Sequence, residues 1–140
     1  MSLEENSIVL TELFEKVITN PKIDVCTDEL KGSSILDANI LRLLKRGGEL
    51  SIKELGASLE LPPSTLGSAI KRLEKNGLLE RKINNNDLRS YLICLSERGD
   101  KLISNMGKKQ QKLMEKLLSC LTEDEQDTFL ELFQRMLKMI

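Results

Sequence analysis

The sequence of 140 residues has no histidine, only three cysteines and no long apolar run. Without histidine, the chain lacks the commonest general base and the commonest transition-metal ligand, which excludes Ser-His or Cys-His catalysis and histidine-bound zinc. Cys26, Cys94 and Cys120 are widely spaced and form no C-x-x-C pair, so we expect reduced thiols rather than disulfides or a zinc site. These absences predict a protein that is not an enzyme and that uses no metal or cofactor.

The chain also lacks any stretch near the roughly 18 apolar residues that a membrane-spanning helix needs. Its N-terminus, Met-Ser-Leu-Glu-Glu, is acidic where a signal peptide would be basic. Apolar residues (40%) and charged residues (31%) are both abundant, which is typical of a globular protein. We therefore expect one helix-rich domain over residues 1–140, located in the cytoplasm and without a membrane partner.

The formal net charge of −1 conceals an uneven distribution along the chain. Residues 1–50 hold 6 basic and 9 acidic side chains, a net −3, and residues 96–140 hold 8 of each. Residues 51–95 hold 7 basic and 5 acidic side chains, a net +2. Positive charge is thus concentrated in the middle of the chain, where contact with nucleic-acid phosphates would require it.

Capping residues and apolar spacing predict six helices and one hairpin. Within each helical segment apolar residues recur at steps of three and four, and S-x-x-E or T-x-x-E capping boxes begin at Ser51 and Thr122. The predicted helices cover 8–18, 34–48, 51–60, 63–76, 96–121 and 122–140, and the predicted strands are 78–83 and 90–95. The segment 21–34 is interpreted as an irregular connection.

A capped helix, a Pro-Pro break, a second helix and a hairpin follow one another between Ser51 and Gly99, in the order of a winged helix-turn-helix. In that DNA-binding plan the second helix enters the major groove, so its outer face needs small hydroxyls near its start and cations further along. The predicted outer face carries Ser64, Thr65, Ser68, Lys71, Arg72 and Lys75. A solvated helix face would have a similar composition, but the neighbouring elements favour DNA binding. Gly67 leaves a gap on this face that would let DNA approach closely.

The hairpin contributes further candidate DNA contacts. Asp87 and Arg89 lie at its tip, and Arg81 and Lys82 lie at its base. An arginine on a narrow protrusion can enter the minor groove, where the negative potential is strongest over A·T-rich sequence. We expect Asp87 to hold Arg89 through a charge-assisted hydrogen bond, unless the two form only an ordinary surface pair.

Two sequence motifs lie in and beside the predicted hairpin. Asp87-Leu88-Arg89 is followed by Leu95-Ser96-Glu97-Arg98-Gly99, and this pattern is similar to the D-x-R-x-x-x-x-x-L-[TS]-x-x-G signature of the MarR (multiple antibiotic resistance regulator) family, with the same spacing. The stretch from Leu73 to Arg81 resembles its L-E-x-x-G-L-[VI]-x-R segment, with Leu79 in place of Val or Ile. Leu88 is a departure, since many members carry a second arginine there.

This resemblance implies a homodimeric transcriptional regulator, usually a repressor, that reads pseudo-palindromic double-stranded DNA. The fold is then mainly α with a small β-hairpin wing: residues 34–99 form the winged helix-turn-helix, and residues 1–33 and 100–140 supply dimerisation helices. The wide apolar stripe of the last helix, from Phe129 to Ile140, independently suggests cover by a partner subunit. By the same analogy Ser64, Thr65, Ser68, Lys71 and Arg72 contact bases or phosphates, and Arg89 is the minor-groove residue of the wing.

The resemblance also implies release of DNA by a small-molecule effector or an oxidant. Few aromatic residues are present to stack a phenolic ligand. Cys26 is a candidate redox sensor, because some relatives sense peroxide through a cysteine near the N-terminus; the alternative is a half-buried structural thiol. A different function also remains open, in which the winged helix binds a protein instead of DNA, as the near-neutral charge and Leu88 would allow.

Overall fold

The computed structural model of the chain describes residues 1–20 and 34–140. Within them, six α-helices accompany one three-stranded antiparallel sheet, so the predicted mainly α fold with a β-hairpin wing is confirmed. In chain order the elements are α1 (Leu3–Thr19), α2 (Ile35–Gly47), β1 (Leu50–Ser51), α3 (Ile52–Leu59), α4 (Pro63–Lys75), β2 (Leu79–Ile83), β3 (Tyr91–Leu95), α5 (Glu97–Leu118) and α6 (Glu123–Leu137). Residues 21–33, which include Cys26 and most of the predicted connection, lie outside the described residues.

Capping boxes fix the start of four helices. The boxes predicted at Ser51 and Thr122 are present at the starts of α3 and α6, and Ser34 begins α2 in the same way. A fourth box at Ser2, whose amide donates to Glu5 at 2.7 Å, begins α1 at Leu3. The prediction that this helix begins at Ile8 was therefore wrong, because it followed the apolar residues and overlooked the polar cap.

The sheet has the strand order β1-β3-β2. Strands β2 and β3 form the predicted hairpin, with Leu79 opposite Leu95 and Ile83 opposite Tyr91. The third strand, β1, was not predicted; its two residues pair with β3 immediately before α3. This pairing joins the wing to the start of the helix-turn-helix.

One apolar core lies among α2, α3, α4, the sheet and the first part of α5. Its buried members are Ala38, Ile40, Leu41, Leu44, Leu55, Leu66, Ala69, Ile70, Leu73, Leu78, Leu79, Ile93, Ile103 and Met106. Four of these residues belong to α4 and form its inner face: Leu66, Ala69, Ile70 and Leu73. Burial of that face determines which side chains of α4 point outward.

The described residues form two compact units, Met1–Gly107 and Lys108–Ile140. Helices α1 and α6 have no buried residue, although both are amphipathic. On α6, Phe129 and Phe133 stack with ring centroids 5.8 Å apart, and Phe129 is still 48% exposed. Among the described helices, none combines the length and the apolar character needed to cross a membrane.

Candidate nucleic-acid interface

The start of α4 presents a row of small polar side chains. Pro62 occupies the N-cap position and Pro63 the first turn, where a missing amide proton costs nothing. Ser64, Thr65 and Ser68 are exposed, and the Ser68 hydroxyl donates to the Ser64 carbonyl at 3.1 Å. The open space beside Gly67 would accept a Cβ without any contact within 4 Å. This end of α4 therefore has the shape and the polar groups expected of a surface that approaches DNA.

Lys71 and Lys75 continue the exposed face toward the end of α4. Neither forms an ion pair with another described residue, so their charges are available to solvent or to phosphate. The spacing of these lysines from Ser64 and Ser68 follows the three- and four-residue steps of one helix face. The structure thus brings most of the predicted α4 contacts together.

Arg72 differs from its neighbours because it is bound to a carboxylate within the fold. Its Nε and Nη2 atoms donate to the two carboxylate oxygens of Asp37 on α2, at 3.2 and 2.5 Å. The Arg72 side chain is 45% exposed, whereas that of Asp37 is fully buried. The hydrogen bond and the charge of Asp37 raise the pKa of Arg72 above its ordinary value, so the guanidinium remains charged. Two of the guanidinium donors that were expected to contact DNA are therefore already bonded within the protein.

The two cations at the base of the wing also have acidic partners. Arg81 donates from Nε to Glu74 on α4 at 2.6 Å, and its guanidinium carbon lies 5.8 Å from the centroid of the Tyr91 ring. Lys82 contacts Glu49 at 2.7 Å, and that hydrogen bond is the main reason why the pKa of Lys82 is raised. These pairs connect the wing to the rest of the body and reduce the positive charge that β2 presents.

The wing tip is an ordered turn with Arg89 exposed on it. The Asp87 carboxylate accepts a hydrogen bond from the backbone amide of Arg89 at 3.0 Å. Asn84 supports the same turn by accepting from the amide of Asn86 and donating to the Ser90 hydroxyl. Asp87 therefore holds Arg89 through the backbone amide and not, as predicted, through the guanidinium, which is left to solvent.

Comparison with known proteins agrees with this geometry. The MarR family model matches residues 34–91. The uncharacterized HTH-type transcriptional regulator YwhA of Bacillus subtilis is 36% identical over 97 residues, which cover 69% of this chain and 70% of that protein. The chain belongs to the MarR family. MarR-family proteins are transcriptional regulators, and the resemblance of the wing motifs is thereby confirmed.

Two further relatives carry more specific descriptions. The HTH-type transcriptional repressor MdtR of Bacillus subtilis is 28% identical over 123 residues, covering 88% of this chain and 77% of that protein. The crystal structure of Streptococcus pneumoniae FabT in complex with DNA has a TM-score of 0.84 at 16% identity, covering 99% of this chain and 96% of FabT. At that identity the second match shows the fold alone.

The second half of the MarR signature, Leu-Ser-x-x-Gly, has a structural explanation in this chain. The buried hydroxyl of Ser96 donates to the Gly77 carbonyl at 2.6 Å and accepts from the Gly99 amide at 3.0 Å, which caps α5. A Cβ on Gly99 would lie 2.1 Å from the Leu78 carbonyl oxygen. The absence of a side chain on Gly99 lets α5 begin directly against the chain that enters the wing, so these two buried residues position the wing.

The described cysteines of this MarR-family chain differ in environment. Cys94 is buried on β3, its Sγ lies 3.7 Å from the Glu80 carbonyl oxygen, and burial raises the pKa of its thiol. Cys120 is an exposed free thiol after α5. A raised pKa makes Cys94 a poor nucleophile near neutral pH. Cys26, the predicted redox sensor, lies outside the described residues, so its sensing role stays a prediction.

Sequence reasoning missed Asp37, a buried acidic residue on α2. It is the first buried position of α2, on the inner face of the helix, where an apolar residue would be expected. The available signal was an acid on the apolar stripe that contains Leu41 and Leu44, three positions after the cap Ser34. An acid at that place needs a partner, because an unpaired buried charge is very costly.

Proposed function

We propose that this MarR-family regulator is a homodimeric repressor that binds a pseudo-palindromic operator in double-stranded DNA. The observation that carries the proposal is the exposed face of α4, on a helix anchored in the core. That face has hydroxyl groups at its start and, further along, two lysines that pair with no acid among the described residues. The repressor name of MdtR and the DNA complex of FabT support the same role. We also propose that the protein acts in the cytoplasm, where the DNA of its bacterial relatives is found.

Each part of the interface has a different task in this proposal. Ser64, Thr65 and Ser68 reach base edges or phosphates from the start of α4, and Lys71 and Lys75 neutralise phosphates. Arg89 enters the minor groove from the wing tip, which Asp87 keeps ordered. Arg72 and Arg81 contribute positive charge near the duplex, but their bonds to carboxylates make them supports as well as contacts.

The dimer is inferred from the apolar faces of α1 and α6. On α1 and α6 the large apolar side chains that remain 40–55% exposed are Ile8, Val9, Leu10, Leu13, Phe14, Val17, Phe129, Leu130, Leu132, Met136 and Leu137. So many partly exposed apolar residues on two helices are unusual for a monomer and typical of a protein interface. A two-fold dimer would place two α4 helices in successive major grooves, about 34 Å apart.

Release from DNA by a small-molecule effector or an oxidant is the regulatory part of the proposal. It is supported by membership of the MarR family and by the presence of Cys26 in the N-terminal part of the chain. A peroxide effect on DNA binding that disappears in Cys26→Ser would support the oxidant. An effect that persists in that variant would favour a small ligand or another thiol.

The decisive experiment begins with selection of bound sequences from a random duplex pool at near-physiological salt. We expect an inverted repeat with half-sites one helical turn apart, and an affinity that falls steeply with salt concentration. The double variant Lys71→Ala/Lys75→Ala should weaken binding and reduce the slope of log K against log salt by about 0.9 for each phosphate that is no longer neutralised. Fluorescence anisotropy with the selected duplex and a scrambled duplex measures both quantities.

The matched control is Lys108→Ala/Lys112→Ala, which removes the same charge from exposed positions on α5. This variant should bind the operator as the wild type does. No enriched sequence, or equal losses in the two lysine variants, would contradict the proposal. That result would favour a winged-helix module that binds protein. Two features support this alternative: acidic partners already pair with Arg72, Arg81 and Lys82, and the apolar side chain of Leu88 at the wing tip is 80% exposed.

A further inference from the structure

The fully buried carboxylate of Asp37 links α2 to α4. Besides both bonds from Arg72, it accepts a hydrogen bond from the Ser34 amide at 3.3 Å, and the Asp37 amide donates to the Ser34 hydroxyl at 3.4 Å. Within the described residues no buried side-chain nitrogen or oxygen lacks a partner, so this carboxylate is satisfied. One acidic side chain thus caps α2 and holds α4 at the same time.

We propose that Asp37 is a positioning residue for DNA recognition, which sets the rotation of α4 by holding Arg72 in a two-bond fork. The inference rests on the proposed DNA-binding function and adds to it a residue that does not touch DNA. Arg72 follows Ser68 by four residues on α4, so the two lie on the same side of the helix, one turn apart. Fixing Arg72 therefore fixes the direction in which Ser68 and its neighbours point.

The reason for assigning this task to an ion pair lies in the other residues that anchor α4. Leu66, Ile70 and Leu73 are fully buried, but apolar contacts are non-directional and permit small rotations of a helix. A guanidinium that donates two parallel bonds to a carboxylate has a defined geometry. Burial of Asp37 adds to the constraint, because rotation of α4 that broke the fork would leave a buried charge without its partner.

Asp37→Asn is the first test, since asparagine has the same shape and retains an oxygen that can accept from Ser34. We expect operator affinity to fall about tenfold, which is typical of removing one interaction with a base, while affinity for a scrambled duplex and the salt slope remain unchanged. The loss should be seen at a temperature well below the unfolding transition, as followed by circular dichroism. A merely structural role would lower affinity for both duplexes together.

Asp100→Asn is the matched control, because it removes the carboxylate of the exposed Lys45–Asp100 pair, 2.7 Å apart, in the same body. It should leave the preference for the operator unchanged. Arg72→Lys is a second variant for the case in which Asp37→Asn does not fold: it retains the charge but cannot form the fork. It should reproduce the loss of operator preference, and the double variant should be no worse than either single variant.

Three outcomes would overturn the inference. In the first, Asp37→Asn and Arg72→Lys both prefer the operator as strongly as the wild type does; this result would leave the DNA-binding proposal intact. Another is a loss in Arg72→Lys but not in Asp37→Asn, since that would make Arg72 a direct DNA contact. The third is a wild type without any operator preference, which would refute the proposed function as well.

Discussion

The winged body, from α2 to the first turns of α5, and the outer helices, α1 and α6, begin with the same local signals but differ in burial. Helices α2 and α3 begin with capping boxes, and so do α1 and α6. Yet every core residue of the described chain lies between Ala38 and Met106, whereas α1 and α6 bury none. Capping and apolar spacing are thus sufficient to specify a helix. Whether its apolar face is covered depends on what other elements, or other chains, lie opposite.

The two regions therefore differ in what covers and stabilises their apolar faces. The body from α2 to the first turns of α5 supplies its own cover, so its stability is set within one chain. The apolar faces of α1 and α6 gain their hydrophobic stabilisation only when something covers them. In the proposed dimer that partner is a second copy, which makes stability of the outer helices depend on protein concentration.

Leu41→Ala and Leu132→Ala test the two halves of this comparison with the same chemical change. Leu41 is fully buried on α2, and its truncation should lower the free energy of unfolding by about 2–5 kcal/mol at any protein concentration. Leu132 is 49% exposed on α6, so its truncation should act mainly by weakening the dimer. Urea unfolding at protein concentrations a hundredfold apart measures both effects.

The two variants should respond to concentration in different ways. Losses in Leu132→Ala should be larger at the high concentration, where the wild type is dimeric, than at the low concentration, where both proteins dissociate, and light scattering should show more monomer in the variant. A loss in Leu132→Ala that equals that of Leu41→Ala and does not change with concentration would remove the distinction between the two regions.

Gly99→Ala tests how closely the body is packed where α5 begins. The added Cβ would meet the Leu78 carbonyl oxygen, a backbone atom that cannot turn aside, so α5 or the chain entering the wing must shift. We expect a loss of about 1–3 kcal/mol in the free energy of unfolding, the usual cost of overpacking. Thermal denaturation followed by circular dichroism measures this loss.

Gly107→Ala is the control for Gly99→Ala, since it makes the same substitution further along α5. A Cβ on Gly107 would meet nothing within 4 Å, so this variant should be neutral or more stable by about 0.5–1 kcal/mol. Equal stabilities of the two alanine variants would mean that the close approach at Leu78 imposes no constraint.

Much of the fold could be predicted from the sequence because its signals are local. The caps at Ser51 and Thr122, the Pro-Pro break and the Asn-rich turn each act within four residues, and the corresponding elements were found. The start of α1 was misplaced because a polar cap at Ser2 extends the helix beyond its apolar residues. Strand β1 was missed because a two-residue strand exists only through its pairing with β3.

The candidate site was predictable to the same degree and for the same reason. The exposed row on α4 follows from helical spacing, which places Ser64, Ser68 and Lys71 opposite the buried leucines. The partner of Arg72 could not be predicted, because Asp37 is 35 residues away and meets it only after α2 and α4 have packed. Sequence spacing shows which cations lie on a surface, but packing decides which of them are already paired.

Gly67→Ala gives the smallest expected effect and the sharpest contrast between stability and function. Because open space surrounds the position, the added methyl group should raise the free energy of unfolding by about 0.5–1 kcal/mol, as expected for Gly→Ala inside a helix. The same methyl group would occupy the gap through which DNA approaches α4, so operator affinity should fall about fivefold, equivalent to about 1 kcal/mol. Gly107→Ala shares the stabilisation but lies outside the proposed interface, so its operator affinity should match that of the wild type. If Gly67→Ala binds the operator as tightly as Gly107→Ala does, the gap on α4 has no part in recognition, and the glycine is only a weak point in the helix.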